Sequence, residues 1–502
     1  MYTKVAYPRE LVMVNRDSPV PLYYQLKVYF KDQMESGLLH PGDRLPTEMD
    51  LCRQFGVSRA PVRQALTDLA KEGYVYRRPG QGTFVASSVP SRLAKQTCIR
   101  VMTHYDVPWI SYLEHAANIW NEEHPDQEVK LEFAIHPERD MFHRQLRQAV
   151  AKGEAPDLIS LDYVWITHYA YTGHIKPLDE LMVSWLREEL TFLEPVARKN
   201  NMVDGRFYGL PIHADLTGLW YRRDFLDAEG LSVPRTWDEL LALIDHFNQD
   251  DVKQRLGHTY AIAFPVSPKS GEATVNVLVP FMWNAGATLG ETHNTIALDN
   301  ESVYQALSFL REITITRRSA LPPRMDEISW WDFAKMLAEG EVPLILGGTY
   351  EWPHIRPHTE WKRESEMAEH FGFIPVPCPE ETSTPACSLG GSSWAIPRQA
   401  PHAEIALTLL RVASSPEASR AYCEEDLQIS PYHSVNEELA DERHPWLREI
   451  QPLFRYAHLR PLLRNYPQIS PFLQDMLHRV LWLGEDIEIC VQRTSGALEL
   501  LL

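Results

Sequence analysis

The chain has 502 residues, 44% of them hydrophobic and 23% charged, and a formal net charge of -19. That length exceeds what one ordinary core organises, so a small unit beside a larger, two-lobed one is expected. No run approaches the ~18 consecutive apolar residues of a membrane span, and the opening MYTKVAYPRELVMVNRDSP lacks the apolar core of a secretory signal, which points to a cytoplasmic protein without membrane contact.

Six cysteines (Cys52, Cys98, Cys378, Cys387, Cys423 and Cys490) lie far apart with no Cys-x-x-Cys pair. Reduced thiols are expected, and neither a metal nor a cofactor is implied. Charge is segregated along the chain. Residues 1–92 hold 13 Lys and Arg against 9 Asp and Glu, a surplus of 4 that leaves -23 for the remainder. A mildly basic head on a strongly acidic body suits a protein that presents only its head to phosphate.

Residues 20–36 carry Leu22, Leu26, Tyr29 and Phe30 at helical spacing, which predicts a first helix stopped at Gly37. After a turn-rich connection, Thr47 caps a second helix over 48–55, with Asp50 at the capping-box position and Gly56 ending it. Ser58 caps a third, with Pro61 in its first turn, Val62, Leu66 and Leu69 on its buried face, Arg59 and Arg63 opposite, and Gly73 closing it. Two short helices around a tight glycine turn, the second exposing arginines, form a helix-turn-helix pattern. Residues 74–78 and 83–85 read as strands around Pro79-Gly80-Gln81-Gly82, a wing.

The run PGDRLPTEMDLCRQFGVSRAPVRQALTDLAKEGYVYRRPGQGTFV resembles the winged helix-turn-helix of GntR-family repressors in order and spacing. The resemblance implies that Ser58, Arg59 and Arg63 touch phosphates and base edges of double-stranded operator DNA. It implies that Gly80, Gln81 and Gly82 form the wing tip in the minor groove, and that Arg44, Thr47 and Gln64 make lesser backbone contacts. One position departs. Met49 stands where the family often has arginine, so one phosphate or base contact is expected to be missing.

Residues 87–97 are polar and aperiodic, the expected linker between a DNA-binding domain at 1–86 and an effector domain at 98–502. Beyond it a strand (98–103), a helix (109–123), a strand (128–135), a helix (141–152) and a strand (158–161) imply parallel β-α-β units. In such sheets the ligand crevice lies at the carboxyl ends of the strands, which puts the loops His104-Tyr105-Asp106 and Asp162-Tyr163-Val164-Trp165 on its rim. Each joins rings to a carboxylate. A sugar site needs that pairing, because rings cover the apolar faces of a pyranose and carboxylates accept its hydroxyls, although ordinary surface Tyr and Asp look the same.

From 98 to at least 437 the chain resembles the extracellular solute-binding proteins of ABC importers, particularly the sugar-binding family that includes maltodextrin-binding protein. The likeness rests on Gly153-Glu154-Ala155-Pro156-Asp157, on 173–178, on the long run 203–240, on 333–352 with Gly347-Gly348-Thr349-Tyr350, and on 373–377 followed by 388–396. It implies a multidomain chain: a small α+β winged helix-turn-helix, then a two-lobed α/β periplasmic-binding-protein-like domain of type II. It further implies crossings near Pro211 and Gly390, Asp215 as a cleft carboxylate, Tyr350 as an aromatic platform, and Gly391 and Ser392 as donors. His213, Trp283, Glu351 and Trp394 rank behind them. The segment after Val435 matches poorly and reads as the last helices of the second lobe.

No His-Glu-x-x-His helix, Walker loop, Gly-x-Ser-x-Gly elbow or Gly-x-Gly-x-x-Gly occurs, so no enzyme is expected. The sequence therefore reads as a homodimeric transcription regulator whose operator affinity responds to a small solute, a mono- or oligosaccharide. Two alternatives stay open at this point: a solute-binding module with a non-functional head, and a glycoside hydrolase in the cleft.

Overall fold

The computed structural model describes residues 22–35, 38–78, 81–86, 97–103, 109–136, 139–181, 195–289, 296–442 and 444–501. Among them no helix is long and apolar enough to cross a membrane.

The head comprises α1 (Leu22–Glu35), α2 (Glu48–Phe55), α3 (Arg59–Lys71), β1 (Val75–Arg78) and β2 (Gly82–Val85). Leu26, Phe30, Leu51, Val62, Leu66, Leu69, Val75 and Val85 close one apolar core. The Thr47 hydroxyl accepts the Asp50 N–H at 3.2 Å to start α2, and Gly56 ends it at φ +66°. Ser58 does occupy the position before α3 with extended backbone, but its side chain makes no capping bond, contrary to expectation. The antiparallel pair β1 and β2 is flanked by 42–45, where the Leu45 N–H reaches the Thr83 carbonyl and the Val85 N–H reaches that of Asp43. The expected wing thus has a third backbone edge.

The larger unit runs β3 (Thr97–Thr103), α4 (Trp109–Glu123), β4 (Val129–Ile135), α5 (Arg139–Lys152), β5 (Leu158–Asp162), α6 (Tyr163–Tyr171) and α7 (Pro195–Asn200). It continues β6 (Met202–Val203), β7 (Arg206–Phe207), β8 (Gly209–Arg222), α8 (Arg223–Glu229), α9 (Trp237–Phe247), α10 (Asp250–Leu256), β9 (Ile262–Ala263), α11 (Glu272–Asn284), α12 (Glu301–Arg311) and α13 (Trp330–Ala338). Then come β10 (Leu344–Gly348), α14 (Trp352–Ile355), α15 (Glu364–His370), β11 (Phe371–Ile374), β12 (Cys387–Ala395), α16 (Ala403–Ala413) and α17 (Pro416–Asp426). The chain finishes with α18 (His433–Glu442), α19 (Leu447–Ile450), β13 (Ala457–Leu459), α20 (Tyr466–Leu481) and α21 (Ile487–Glu499).

Nine strands form one sheet in the order β4-β3-β5-β12-β8-β10-β9, with β11 beside β8 and β13 beside β12. Parallel pairing of β3 with β4 and β5 defines lobe 1, and β9, β10 and β11 around the far half of β8 define lobe 2. The two long strands β8 and β12 are the crossings, antiparallel from Leu389 opposite Leu216 to Ala395 opposite Gly209.

Two expectations change. Residues 163–165 are no rim loop but the first turn of α6, because the Asp162 carboxylate accepts the Val164 N–H and the apolar run behind it is buried on every side. The segment after Val435 does more than finish lobe 2. Helix α20 buries Ile469, Leu473, Met476 and Leu477 against α11 and α12 of lobe 2, and it also packs on α6 of lobe 1.

Candidate DNA interface and ligand cleft

Capping at Thr47 and the buried Val62, Leu66 and Leu69 orient α3 so that Ser58, Arg59, Arg63 and Gln64 face solvent. Among the described residues Arg59 has no ion-pair partner, whereas Arg63 lies 3.4 Å from the Glu48 carboxylate and Gln64 donates to Asp68 at 2.9 Å. Thr47 and Arg44 are exposed. The Arg44 guanidinium lies along the wing, where a Cβ on Gly82 would come within 2.8 Å of its Nε. Gln81 is exposed at the turn, and Gly80 lies outside the described residues. Met49 is 57% exposed, so a bulky apolar side chain stands in solvent on α2.

Arg78 is not among the residues expected from sequence to meet DNA. Its guanidinium sits 5.3 Å from the Tyr76 ring and 5.6 Å from the Phe84 ring, which stack 5.7 Å apart across β1 and β2. This holds a cation at the tip end of the wing, where Arg78 pairs with Gly82. The signal available was Arg77-Arg78 directly before Pro79-Gly80-Gln81-Gly82.

The cleft residues meet where three strands touch. Register puts Asp162 of β5 opposite Ser392 of β12, and Ser392 opposite His213 of β8; two residues on, Gly390 lies opposite Asp215. His213 and Asp215 point to the same face, with Nε2 3.9 Å from Oδ2. Glycine is required at 390 and 391. A Cβ on Gly390 would sit 2.0 Å from the Asp215 Oδ1, and one on Gly391 (φ +132°) 2.3 Å from the His213 carbonyl oxygen. The Tyr163 hydroxyl donates to that same carbonyl at 2.7 Å, and the Tyr422 ring lies 6.3 Å from the His213 ring. Burial holds the His213 imidazole neutral, its pKa down to about 4, although Asp162 works against this.

Tyr350 and Glu351 form a short turn after β10 that folds back over Gly347 and Gly348. A Cβ on Gly348 would lie 2.2 Å from the Tyr350 ring, and one on Gly347 would lie 2.5 Å from a Glu351 oxygen. The Glu351 carboxylate accepts the Gly348 N–H, and its burial, with Asp215 nearby, pushes its pKa well above the usual carboxylate range. Glu351 therefore works on its own turn, while half-buried Tyr350 stands edge-on to Trp330 at 5.4 Å.

The remaining candidates are dispersed. Trp165 is buried in lobe 1, 4.4 Å from the His143 ring. Trp394 is 2% exposed and lines, with Tyr112 and Tyr422, a cavity of about 10 Å³. Trp283 on α11 stacks on His458 of β13 at 5.2 Å. Tyr105 and Asp106 lie outside the described residues. Among the described residues no group of three or more His, Cys, Asp or Glu could hold a metal ion.

Arg460, also absent from the sequence reading, joins the lobes. It follows β13, is 3% exposed, and donates to Glu272 of lobe 2 at 2.8 Å and to Asp162 of lobe 1 at 3.1 Å. Glu272 also accepts the hydroxyls of Tyr466 and Ser470, the latter at 2.6 Å. Burial disfavours the guanidinium charge, yet Asp162 and Glu272 more than offset this and raise its pKa further. Nothing in the spacing of a lone Arg after a short strand foretells it.

Residues 22–85 match the bacterial regulatory proteins of the gntR family, and residues 106–420 match the bacterial extracellular solute-binding proteins. The head is 48% identical over 73 residues to the HTH-type transcriptional repressor NagR of Bacillus subtilis (strain 168), covering 14% of this chain and 30% of that one. The chain spans about 30% of the length of the curated relatives matched at this level. The larger unit resembles maltose-bound MalE3 of T. maritima, with a TM-score of 0.67 at 21% identity over 81% of this chain and 100% of that one. It also resembles an ABC transporter solute-binding protein of Thermotoga lettingae TMO bound with alpha-D-tagatose, with a TM-score of 0.65 at 24% identity over 80% and 99% of the two chains. At such identities the likeness shows the fold alone.

Proposed function

This chain belongs to the bacterial extracellular solute-binding protein family and bears a gntR-family winged helix at its head, and from that premise we propose that it is a DNA-binding regulator whose operator affinity is set by a sugar bound between its lobes. The observation that carries the reading is the alignment of Asp162, Ser392 and His213 across three strands at the crossing, with Asp215 two residues on and Tyr163 and Tyr422 around them. Carboxylates, a hydroxyl and rings at one junction suit a polyol with apolar ring faces.

The cavity beside this junction holds about 10 Å³, against roughly 300–1,000 Å³ for a small-molecule site. A sugar therefore enters with the lobes apart, and its contacts to both lobes favour closure. The chain acts in the cytoplasm as a homodimer, with its two heads on half-sites about 10 bp, or a multiple, apart. A ligand shifts operator affinity only if it binds the two arrangements differently.

The test is a gel-shift titration of an operator selected from random duplexes, with and without a panel that includes maltose and D-tagatose. A sugar-dependent change in affinity supports the reading; a panel that binds without altering affinity removes the regulatory half. A thermal-shift screen identifies the ligand, since one present at 100 times its Kd adds about 2.7 kcal/mol to the native state.

A further inference from the structure

Helix α1 faces two ways. Leu26 and Phe30 pack into the core of the head beside Val62, Leu66 and Leu69 of α3, and Lys27 and Lys31 pair with Glu72 at the end of α3 at 3.0 and 3.3 Å. At its start, Tyr23, which still packs on the edge of the head core, and Tyr24 reach out of the head with their hydroxyls. The Tyr23 hydroxyl donates to the Lys152 carbonyl at 2.8 Å, and the Tyr24 hydroxyl to the Gln399 carbonyl at 3.0 Å. Tyr24 is only 7% exposed, and Gln399 in turn donates through Nε2 to the Val150 carbonyl at 3.1 Å.

Lobe 1 is shaped to receive these rings. Helix α5 ends at Gly153 (φ +74°), with the Gly153 N–H on Val150 and the Glu154 N–H on Ala149, a left-handed cap that favours glycine. The missing side chain matters a second time. A Cβ there would lie 2.7 Å from the Tyr24 ring and 3.1 Å from the Tyr23 hydroxyl. Gln399 comes four residues after the end of β12, the crossing strand that carries Gly391 and Ser392, and the intervening stretch is pinned by Lys176 N–H to Ile396 and Arg398 N–H to His174.

We propose that Tyr23 and Tyr24 dock the DNA-binding head on lobe 1 and make α1 the rigid link between the crossing strand and the recognition helix. The continuous path is β12, Gln399, Tyr24, α1, Glu72 and α3. A shift of β12 on lobe closure re-aims α3 through direct contacts, independently of the linker. The link deepens the regulatory reading above and rests on it.

Hydrogen exchange by mass spectrometry on the full chain, without ligand, tests the docking. Compared with the natural chain, Tyr24→Phe and Gly153→Ala are expected to speed exchange at least tenfold in peptides covering 149–154 and the start of α1, while α3 and β12 keep their protection. Gly391→Ala, which displaces β12, is expected to speed exchange in α1 on its own and to add less than twofold over Tyr24→Phe. Unchanged exchange at 149–154 in both docking variants would overturn the proposal, as would loss of protection throughout α3, which would make Tyr24 a part of the head's own fold. Additive effects of Gly391→Ala and Tyr24→Phe would overturn the link. A gel shift with a random duplex at low salt keeps the two readings distinguishable: failure of the natural chain to bind DNA sinks the regulatory function while the exchange result still decides the docking.

Discussion

Replacing Arg460 by methionine removes the cation that touches both Asp162 and Glu272 and leaves two carboxylates facing each other between the lobes. Breaking a buried pair by deleting one partner costs about 3–5 kcal/mol, because the remaining charge stays desolvated. Glu272 is 4% exposed and Asp162 13%, so Glu272 bears most of that penalty. The Tyr466 and Ser470 hydroxyls continue to donate to Glu272, which places Arg460→Met near the lower end, about 3 kcal/mol. Glu272→Gln in the same background removes the stranded charge and keeps an acceptor oxygen for one hydroxyl while its amide N–H2 donates to the other, so it should recover at least about 1.5 kcal/mol. The assay is urea unfolding at pH 7 followed by tryptophan fluorescence on the natural chain, both single variants and the double variant. Solution scattering on the same samples reports whether the lobes separate. Destabilisation by Arg460→Met of less than about 1 kcal/mol, the range of an exposed ion pair, or no recovery in the double variant, would refute the reasoning and assign lobe contact to the apolar face of α20.

Arg59→Ala should weaken duplex binding and reduce the slope of log affinity against log salt by about 1, measured by fluorescence anisotropy; an unchanged slope would mean that Arg59 touches no phosphate. Gly391→Ala meets the His213 carbonyl and a left-handed φ together, so a loss of at least about 2 kcal/mol is expected in urea unfolding, whereas Gly496→Ala, in the exposed interior of α21 where a Cβ meets nothing within 4 Å, should gain about 0.5–1 kcal/mol. His213, with its pKa down to about 4 from an ordinary ~6.5, binds its proton more readily when unfolded. Stability from this group is full above pH ~6.5 and falls by about 3 kcal/mol as the pH drops to 4, and His213→Gln should flatten that limb of the profile. Glu351 has the opposite sign: its raised pKa contributes stability in acid that is lost as the pH climbs through the folded value. Glu351→Gln should therefore stabilise at pH 7 and match the natural chain in acid.

The sequence made the head legible, because every signal there is local. Thr47 caps within three residues, Gly56 ends α2 one residue past its last turn, and the 3.6 periodicity of Val62, Leu66 and Leu69 alone turns Arg59 and Arg63 outward. It also determined the parallel strands of lobe 1, whose boundaries lie within two residues of expectation. The start of α6 escaped it because Tyr163 to Ala170 are buried all round, which erases the periodicity that would have marked a helix. Which candidates meet depends on long-range packing. Strand register, which depends on residues 179 and 230 apart in the chain, brings Asp162, Ser392 and His213 into line and leaves Trp165 and Trp283 elsewhere. Arg460, Tyr24 and Gly153 were invisible for the same reason. An arginine, a tyrosine or a glycine carries no local mark of a partner 298, 375 or 129 positions away, and the partner is supplied by packing.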